Sequence, residues 1–406
     1  MQSDCIFVQN TMSIERQAQS AIARLRRTFR VLAITGPRQS GKTTLARMCF
    51  ADKPYVSFED VDVRQRAQAD PRGFLAQFPD GAVFDEVQRL PSILSNLQGL
   101  VDQRQRMGDF VLTGSEQFGL RAGISQSLAG RVAHLELLPL SLAEIAQTPA
   151  WQRKPSPDLM QILWRGAYPA LIAPDDAAPE PYDWYAQYFA TYVQRDVRQI
   201  TGVHDLAAFE RFVMLCAGRC GQLLNTASLA SDAGVSVNTA KHWLSVLQAS
   251  YIIRLLQPWH ENFGKRLVKM PKLYFYDTGL LCHLLRIADA QTLSTHAMRG
   301  AVFESWVVSE TLKHRLNQGL APDVYFWRDN HGTELDLLYP DTELLYPVEI
   351  KSGQSFSTDW TQGLDKFKRY AGDRVGHTCV VYGGDDAFEF LRHSVRTWRM
   401  FDGAGR

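Results

Sequence analysis

Short apolar runs separated by helical segments fill the first third of the chain. They lie at 31–34, 55–58, 82–84, 109–115 and 132–137, and polar or glycine residues bound each of them. Runs of this length without polar alternation are typical of strands that are buried on both faces of a parallel sheet. The pattern therefore predicts an α/β unit with a parallel sheet between about residues 15 and 140.

The rest of the chain consists of three segments that differ in the spacing of their apolar residues. From 141 to 204 the apolar spacing is helical and is interrupted by prolines, which predicts a helical lid or linker. Residues 205–258 contain two short helical stretches around a turn at 232–236 and then an apolar strand. This order of elements is similar to that of winged helix-turn-helix domains. From 299 onward, one helix and several strands predict a further α/β domain.

The stretch after the first apolar run reads G-P-R-Q-S-G-K-T-T. It matches G-x-x-x-x-G-K-[ST], and strand and helix patterns flank it. Its glycines let backbone N–H groups turn toward a phosphate, and the helix N-terminus adds its positive dipole end. Lys42 would reach the β- and γ-phosphates, and the Thr43 hydroxyl would bind Mg²⁺. The sequence thus predicts ATP and Mg²⁺ as cofactors, bound by Gly36, Pro37, Arg38, Gln39, Ser40, Gly41, Lys42, Thr43 and Thr44.

The run at 82–84 ends in two adjacent carboxylates, Asp85 and Glu86. Behind a P-loop this is the Walker B arrangement, in which Asp85 would hold Mg²⁺ through water and bind the nucleotide with the loop. Glu86 would orient or activate the attacking water. An Asp-Glu pair is common by itself, so a plain strand-end turn is the alternative.

Two further polar positions follow neighbouring strands. The run at 109–115 ends in Thr113 and Ser115, and either residue could contact the γ-phosphate because parallel strands end at the same edge. Arg131, which follows Gly130, could stabilise charge on the transferring phosphate, in cis or from a neighbouring subunit. It could equally pair with a structural carboxylate, and the sequence leaves both interpretations open.

In a winged helix the second helix enters the major groove of DNA. Here it would present Asn238, Thr239, Lys241 and His242. This segment has few basic residues, so a protein–protein or scaffolding role is the alternative.

Carboxylates and a lysine recur at strand spacing near the C-terminus. Glu349 and Lys351 share one face of a strand, Asp336 lies on a neighbouring strand, and Glu304 is an acid in an apolar helix. Clustered carboxylates repel one another, so Glu304, Asp336 and Glu349 are predicted to bind Mg²⁺ or Mn²⁺, with Lys351 as a catalytic residue. The spacing resembles the PD-(D/E)xK nuclease superfamily. Solvated charges at a sheet edge are the alternative.

Composition adds limits on the class of protein. The 406 residues carry 44 Lys+Arg against 43 Asp+Glu, a formal charge of +1, so total charge gives no argument about nucleic acid. The six cysteines are scattered without a C-x-x-C pair, which is typical of reduced thiols in a cytoplasmic protein. No apolar run approaches the ~20 residues of a membrane span, so no membrane partner is expected.

Nearly the whole chain resembles bacterial and archaeal AAA-type ATPases with a C-terminal domain of unknown function. The motifs that carry the resemblance are the P-loop, F-D-E-V-Q-R-L-P, L-T-G-S, L-A-G-R, R-G-A-Y-P, G-A-V-F-E and the E-L-D…E-I-K core. The resemblance implies four parts: an ATPase domain (1–140), a helical lid (141–204), a winged helix with connector (205–298) and a restriction-endonuclease-like domain (299–406).

The function expected from these parts is that of an ATP-hydrolysing enzyme acting on DNA, with a possible endonuclease activity and a possible homo-oligomeric state. The alternative is a regulatory ATPase switch whose C-terminal domain binds a protein partner without cleaving nucleic acid.

Overall fold

The apolar runs of the first third form a five-stranded parallel sheet in the part of the chain that the structure describes. The computed structural model describes residues 14–115, 127–152, 158–172, 178–193, 205–259, 270–329 and 331–404. The strands are β1 (Val31–Thr35), β2 (Tyr55–Ser57), β3 (Ala82–Asp85), β4 (Phe110–Gly114) and β5 (Val132–Glu136), in the order β2-β3-β4-β1-β5. The prediction of an α/β fold with a parallel P-loop sheet is confirmed.

Helices cover both faces of this sheet because successive strand residues point to opposite sides. Phe84 and Phe110 pack on one face, with ring centroids 5.4 Å apart, while Val83 and Val111 are buried on the other. The helices are α1 (Ala18–Leu25), α2 (Lys42–Cys49), α3 (Val61–Ala69), α4 (Pro71–Ala76) and α5 (Ile93–Arg104).

The next segment is helical, as its spacing predicts. It contains α6 (Leu142–Ala146), α7 (Pro149–Gln152), α8 (Leu159–Arg165) and α9 (Pro181–Tyr188). Three aromatic residues of α9 (Trp184, Tyr185 and Tyr188) pack in the core: Trp184 stacks on Tyr188 at 5.1 Å between ring centroids, and both contact Tyr168.

Three helices and a two-stranded antiparallel hairpin follow. They are α10 (Leu206–Ala217), α11 (Thr226–Ala233), α12 (Val237–Ala249), β6 (Ile253–Pro258) and β7 (Lys272–Phe275). Gly234 ends α11 in the left-handed conformation (φ 73°), and the Ser236 side chain accepts from the Thr239 amide to begin α12. The segment that follows residue 258 is expected to be a connector, but Lys272–Phe275 within it forms β7. Two helices, α13 (Thr278–Leu284) and α14 (Ala290–Thr295), come next.

The C-terminal segment consists of a long helix and a mixed sheet. Its elements are α15 (Arg299–Asn317), β8 (Tyr325–Arg328), β9 (Glu334–Asp341), β10 (Leu344–Lys351), α16 (Gln362–Ala371), β11 (Cys379–Tyr382), β12 (Phe388–Phe390) and β13 (His393–Thr397).

The second sheet continues across the predicted domain boundary at 298. Its described strands have the order β12-β13-β11-β10-β9-β8-β6-β7, and β6 joins it by parallel pairing of Gln257 and Pro258 with Tyr325 and Phe326. One apolar cluster likewise contains described residues from both sides of this boundary, from Leu138 to Phe401. The hairpin and the C-terminal domain therefore share one sheet and one core, and β7 lies at its edge.

Two other expectations concern the cysteines and the membrane. The described cysteines, Cys49, Cys216, Cys220, Cys282 and Cys379, form no disulfides among themselves. Cys5 lies outside the described residues. No helix in the described ranges combines the length and the hydropathy that a membrane span requires.

Candidate functional site

The P-loop joins β1 to α2 at the carboxyl edge of the five-stranded sheet. Gly36 has φ 154°, and a Cβ there would collide with the carbonyl oxygen of Leu137. Gly41 precedes α2 in the left-handed conformation, with φ 90°. Both positions thus need glycine, one because of a close backbone approach and the other because of its dihedral angle.

The remaining loop residues surround the start of α2. Pro37 and Ser40 are buried, Arg38 and Thr43 are half-buried, and Gln39 and Thr44 are exposed. The Ser40 hydroxyl is a buried oxygen with no hydrogen-bond partner in the described part of the chain. Such an atom inside a phosphate-binding loop fits a ligand with polar oxygens, because an unpaired buried hydroxyl is otherwise costly.

Lys42 is buried within the loop, and its ammonium donates to the carbonyl oxygen of Pro37 at 2.7 Å. Burial lowers the pKa of Lys42 to about 8, although the nearby Glu86 and Asp85 carboxylates act in the opposite direction. A buried lysine ammonium whose hydrogen bond in the described part of the chain goes to a backbone carbonyl is suited to receive an anion.

Asp85 is the meeting point of three hydroxyl groups. Its Oδ1 accepts from Thr43 Oγ1 at 3.0 Å and also from Thr113 Oγ1, and its Oδ2 accepts from the Tyr55 hydroxyl at 2.7 Å. The P-loop threonine and the strand-end aspartate are therefore adjacent, as a shared Mg²⁺ requires. These residues fit the ion: Thr43 would supply a hydroxyl ligand and Asp85 a carboxylate, directly or through water.

Glu86 follows Asp85 in the left-handed conformation (φ 54°), which is uncommon for a residue other than glycine. Its Oε2 accepts from the side-chain amide of Gln88 and, at 3.4 Å, from the hydroxyl of Ser115. Gln88 also donates to Ser115 Oγ at 3.3 Å. Ser115 thus lies beside the candidate catalytic carboxylate at the edge where the sequence pattern places it.

The prediction that Arg131 acts on the phosphate in cis requires correction. Arg131 precedes β5, at the amino edge of the sheet, whereas the P-loop lies at the carboxyl edge. A strand of five residues separates the two edges by roughly 16 Å. The guanidinium is engaged with Asp102 through Nε–Oδ1 at 2.5 Å and Nη2–Oδ2 at 2.7 Å. Within its own chain Arg131 therefore pairs with a structural carboxylate, Asp102, which is the alternative interpretation. A role of Arg131 toward a neighbouring subunit stays a prediction.

A buried arginine supports the P-loop from behind. Arg16 Nη1 donates to the carbonyl oxygen of Ser40 at 2.7 Å, and Nη2 donates to that of Leu138 at 2.8 Å. Its Nε donates to Glu144 Oε1 at 3.0 Å. Glu144 completes a capping box with Ser141 at the start of α6. The loop backbone is thereby tied to the helical segment.

Helix α15 also contacts the segment that follows the nucleotide sheet. Lys313 Nζ donates to the Leu140 carbonyl and to Glu310 Oε1, each at 2.8 Å, and Glu310 Oε2 accepts from the Leu142 amide at 2.8 Å. Both charged side chains are buried. The segment that follows the nucleotide sheet is therefore fixed directly to the long helix of the C-terminal domain.

The C-terminal carboxylates also converge. Lys351 Nζ lies 2.5 Å from Glu349 Oε1 and 3.8 Å from Asp336 Oδ2, and Asp336 Oδ2 accepts from the Ile350 amide at 2.9 Å. Glu304 on α15 lies near them, because its carboxylate and that of Asp336 both pair with Lys272. The structure thus brings together Glu304, Asp336, Glu349 and Lys351.

These carboxylates, however, surround an additional cation, which is the ammonium group of Lys272. Lys272 Nζ on β7 lies 3.1 Å from Glu304 Oε1 and 3.8 Å from Asp336 Oδ1, and it pairs with Glu334. Tyr274, two residues along the same strand face, donates its hydroxyl to Glu304. These partners occupy Glu304 Oε1 and approach Asp336 Oδ1, whereas Glu349 Oε2 is buried with no hydrogen-bond partner among the described residues.

The charges of this cluster influence one another strongly. Burial raises the pKa of Glu304 to about 7 and that of Glu349 to about 8, and the Asp336 carboxylate adds to both shifts. Burial by itself would lower the pKa of Lys272, but the Glu304, Asp336 and Glu334 carboxylates raise it above its usual value.

The predicted metal site at Glu304, Asp336 and Glu349 therefore requires correction. In the described ranges no group of three or more acidic, histidine or cysteine side chains is arranged to hold a metal ion. The physical reason is that β7 inserts the Lys272 ammonium and the Tyr274 hydroxyl among the carboxylates. The residues present do not fit a divalent cation here.

Several of these residues could not be identified from sequence motifs. Arg16 and Tyr55 belong to no pattern with a fixed spacing, and the capping-box spacing of Glu144 indicates a helix start but not its contact with Arg16. Lys272 had a usable signal, since it begins an apolar run and shares a strand face with Tyr274. That alternation identifies a strand, but not the sheet it joins.

Three family models match the chain. Residues 28–146 match an AAA domain, residues 156–291 a domain of unknown function (DUF8612), and residues 299–400 a second domain of unknown function (DUF4143). Together with the parallel sheet and the Thr43–Asp85 contact, the first match defines the N-terminal part as an AAA-type P-loop ATPase domain. This part of the expected resemblance is confirmed.

The chain belongs to the family of two mycobacterial relatives, uncharacterized proteins of Mycobacterium bovis and Mycobacterium tuberculosis. Each is 33% identical over 389 residues, which cover 93% of this chain and 82% of the relative. Among solved structures, a Walker-type ATPase of Pyrococcus abyssi is similar at 13% identity, with a TM-score of 0.47, covering 68% of this chain and 96% of that chain.

Proposed function

We propose that the protein is a Mg²⁺-dependent ATP hydrolase whose nucleotide site lies at the carboxyl edge of the five-stranded sheet. The observation that carries the proposal is the 3.0 Å contact between Thr43 Oγ1 and Asp85 Oδ1, beside the buried Lys42. Lys42 binds the β- and γ-phosphates, and Thr43 and Asp85 hold the ion. Glu86 orients the attacking water and accepts its proton. Bound Mg²⁺ supplies positive charge to the phosphate oxygens.

Two substitutions test this assignment. Lys42→Ala removes the phosphate-binding charge and should abolish ATP binding in calorimetry, whereas Glu86→Gln should retain binding and lose turnover. Lys53→Ala is the matched control, because Lys53 is a half-buried lysine that donates to the Asp80 carbonyl, away from the loop. Equal ATP affinity of the Lys42→Ala and Lys53→Ala proteins would refute the site.

We further propose that DNA is the partner of the ATPase, through a winged helix formed by α10–α12 and the β6–β7 hairpin. On α12, Asn238, Lys241 and His242 are exposed, and such side chains can contact bases or phosphates. Thr239 is half-buried and its hydroxyl pairs with Ser236 at 2.8 Å, so it contributes to the helix start instead.

The DNA proposal is tested by ATPase rates in the presence of single-stranded, duplex or branched DNA. If DNA stimulates the ATPase rate, the stimulation should fall in a Lys241→Ala protein and persist in a Lys366→Ala protein. Lys366 is a suitable control because it is an exposed lysine far along the chain on α16. This result would support the DNA proposal. A rate that no form of DNA changes would favour the second candidate.

The second candidate is a regulatory switch in which nucleotide state reaches a C-terminal protein-binding domain. The buried Glu310–Lys313 pair favours it, because this pair fixes α15 to the backbone of Leu140 and Leu142, just beyond the nucleotide sheet. Hydrogen exchange in α15 should then change when a non-hydrolysable ATP analogue binds, and it should not change in a Lys42→Ala protein.

A further inference from the structure

The carboxylate cluster of the C-terminal domain has a lysine ammonium at its centre. Lys272 is 3% exposed, and its Nζ reaches three carboxylates: Glu304 at 3.1 Å, Asp336 at 3.8 Å and Glu334 in direct contact. The ammonium donates a hydrogen bond to Glu304 and is in direct contact with Glu334, while Asp336 lies at ion-pair distance. We propose that Lys272 is the permanent counter-ion of this cluster, so that the C-terminal domain takes up no divalent cation there.

The position of Lys272 is fixed by the sheet and not by its side chain alone. Its strand, β7, pairs with β6 from Ile253–Phe275 to Leu256–Lys272, and β6 pairs in turn with β8. Tyr274 makes a second contact from the same strand to Glu304. Moving the ammonium away would therefore require separation of β7 from the domain, or would leave an unpaired charge in a buried site.

A divalent cation bound by Glu304 and Asp336 would have to share their oxygens with the Lys272 ammonium. Glu304 Oε1 accepts from both Lys272 and Tyr274, and Asp336 accepts from the Ile350 amide and lies near Lys272 and Lys351. Like charges repel strongly at short range in a poorly solvated pocket. Lys272 thus supplies the positive charge that the sequence pattern assigns to a metal ion. Without a metal ion, the cluster does not catalyse metal-assisted hydrolysis of phosphodiesters.

The contacts of Lys272 also define a structural role. They connect a strand of the helix-and-hairpin segment to α15 and to β9, which belong to the C-terminal domain. The cluster acts as an ionic clamp between these segments. This inference does not depend on ATP binding or on a DNA partner.

Mn²⁺ uptake tests the proposal, with the electron paramagnetic resonance signal of free Mn²⁺ as the measurement. All proteins carry Asp85→Ala, which removes a candidate ligand of the nucleotide site. With Lys272 intact we expect no bound Mn²⁺ at millimolar concentration. Adding Lys272→Met should create one Mn²⁺ site per chain, and adding Asp336→Asn to that protein should remove the site. Lys366→Met, a surface change in the same domain, should create none.

One result overturns the proposal directly: one Mn²⁺ bound per chain with Lys272 intact, and lost with Asp336→Asn. This measurement needs no Lys272 variant, so it is decisive even if Lys272→Met fails to fold.

Thermal unfolding provides the second measurement. Because Lys272→Met leaves buried carboxylates uncompensated, it should lower the melting temperature by roughly 6 °C or more, and Mn²⁺ should restore part of the loss. Lys272→Arg, which keeps the charge, should lose less. If the Lys272→Met protein has the same melting temperature as the wild type, the result would contradict the role of Lys272 as an ionic clamp.

Discussion

Nε of Arg16 lies 3.0 Å from Oε1 of Glu144, and the two side chains are 5% and 0% exposed. Arg16 also donates to the carbonyl oxygens of Ser40 and Leu138. Glu144 accepts further bonds from the amides of Gln17 and Ser141. The pair is therefore fully hydrogen-bonded, which is the condition under which a buried ion pair is tolerated. It fixes the backbone of the P-loop one residue before Gly41.

Replacing Arg16 should damage both the fold and the nucleotide site. Arg16→Ala leaves Glu144 as an uncompensated buried charge and frees the Ser40 carbonyl, so we expect a loss of about 3–5 kcal/mol in the free energy of unfolding. ATP affinity should also fall. Chemical denaturation and calorimetry measure the two effects. Arg27→Ala, at an exposed residue just beyond α1, is the control, and equal stability of both proteins would contradict this role.

The parts of the nucleotide site that lie within one strand–loop–helix unit were predictable. Gly36, Gly41, Lys42 and Thr43 are fixed by a short motif, because local chain geometry alone brings their atoms around a phosphate. Asp85 was predictable for a related reason, since it ends a buried parallel strand on the same sheet edge.

Contacts between distant segments were not predictable in this way. Arg16 and Glu144 approach only after the sheet and α6 have packed, and neither residue type indicates a partner. Lys272 is the clearest case: its strand joins the second sheet through β6 and β8, and no local pattern specifies that pairing. The carboxylate spacing therefore predicted convergence of the acids but could not show which cation they surround.

Gln88 should restrain the catalytic carboxylate. Its amide donates to Glu86 Oε2, which also accepts from Ser115. These donors hold the carboxylate in one position and engage the oxygen that would accept the proton of the attacking water. Gln88→Ala should thus raise the steady-state ATPase rate by up to about tenfold, which corresponds to about 1.4 kcal/mol, and the double variant with Glu86→Gln should be inactive.

The control for this change is Gln77→Ala, an exposed glutamine at the end of α4. A rate below that of the control would show that Gln88 assists the carboxylate instead of restraining it.

Tyr55 should act as a positioning residue for the ion site. Its hydroxyl donates to Asp85 Oδ2 at 2.7 Å, while Thr43 and Thr113 donate to Oδ1. Tyr55→Phe removes one of these three bonds at a cost of about 1 kcal/mol. We expect the Mg²⁺ concentration for half-maximal ATPase activity to rise about fivefold, with little change in the rate at saturating Mg²⁺.

A structural defect would instead lower the maximal rate at every Mg²⁺ concentration. Tyr370→Phe, at an exposed tyrosine of α16, should leave the Mg²⁺ dependence unchanged.

The pKa of Lys42 gives the ATP affinity a specific dependence on pH. Burial lowers this pKa to about 8 in the protein without nucleotide, so the lysine is charged below pH 8 and becomes neutral above it. Bound phosphates favour the charged form, and binding above pH 8 must therefore take up a proton. The Kd for ATP should be constant from about pH 7 to 8 and should then rise by up to about tenfold per pH unit.

Calorimetry over this range is the measurement, and Lys42→Arg is the matched variant. A guanidinium stays charged at every pH tested, so Lys42→Arg should bind ATP more weakly overall but without the rise above pH 8. Titrations in two buffers of different ionisation enthalpy should also show proton uptake at pH 9 in the wild type alone. If the wild-type Kd stays flat to pH 9.5, or if Lys42→Arg shows the same slope, another group controls the pH dependence.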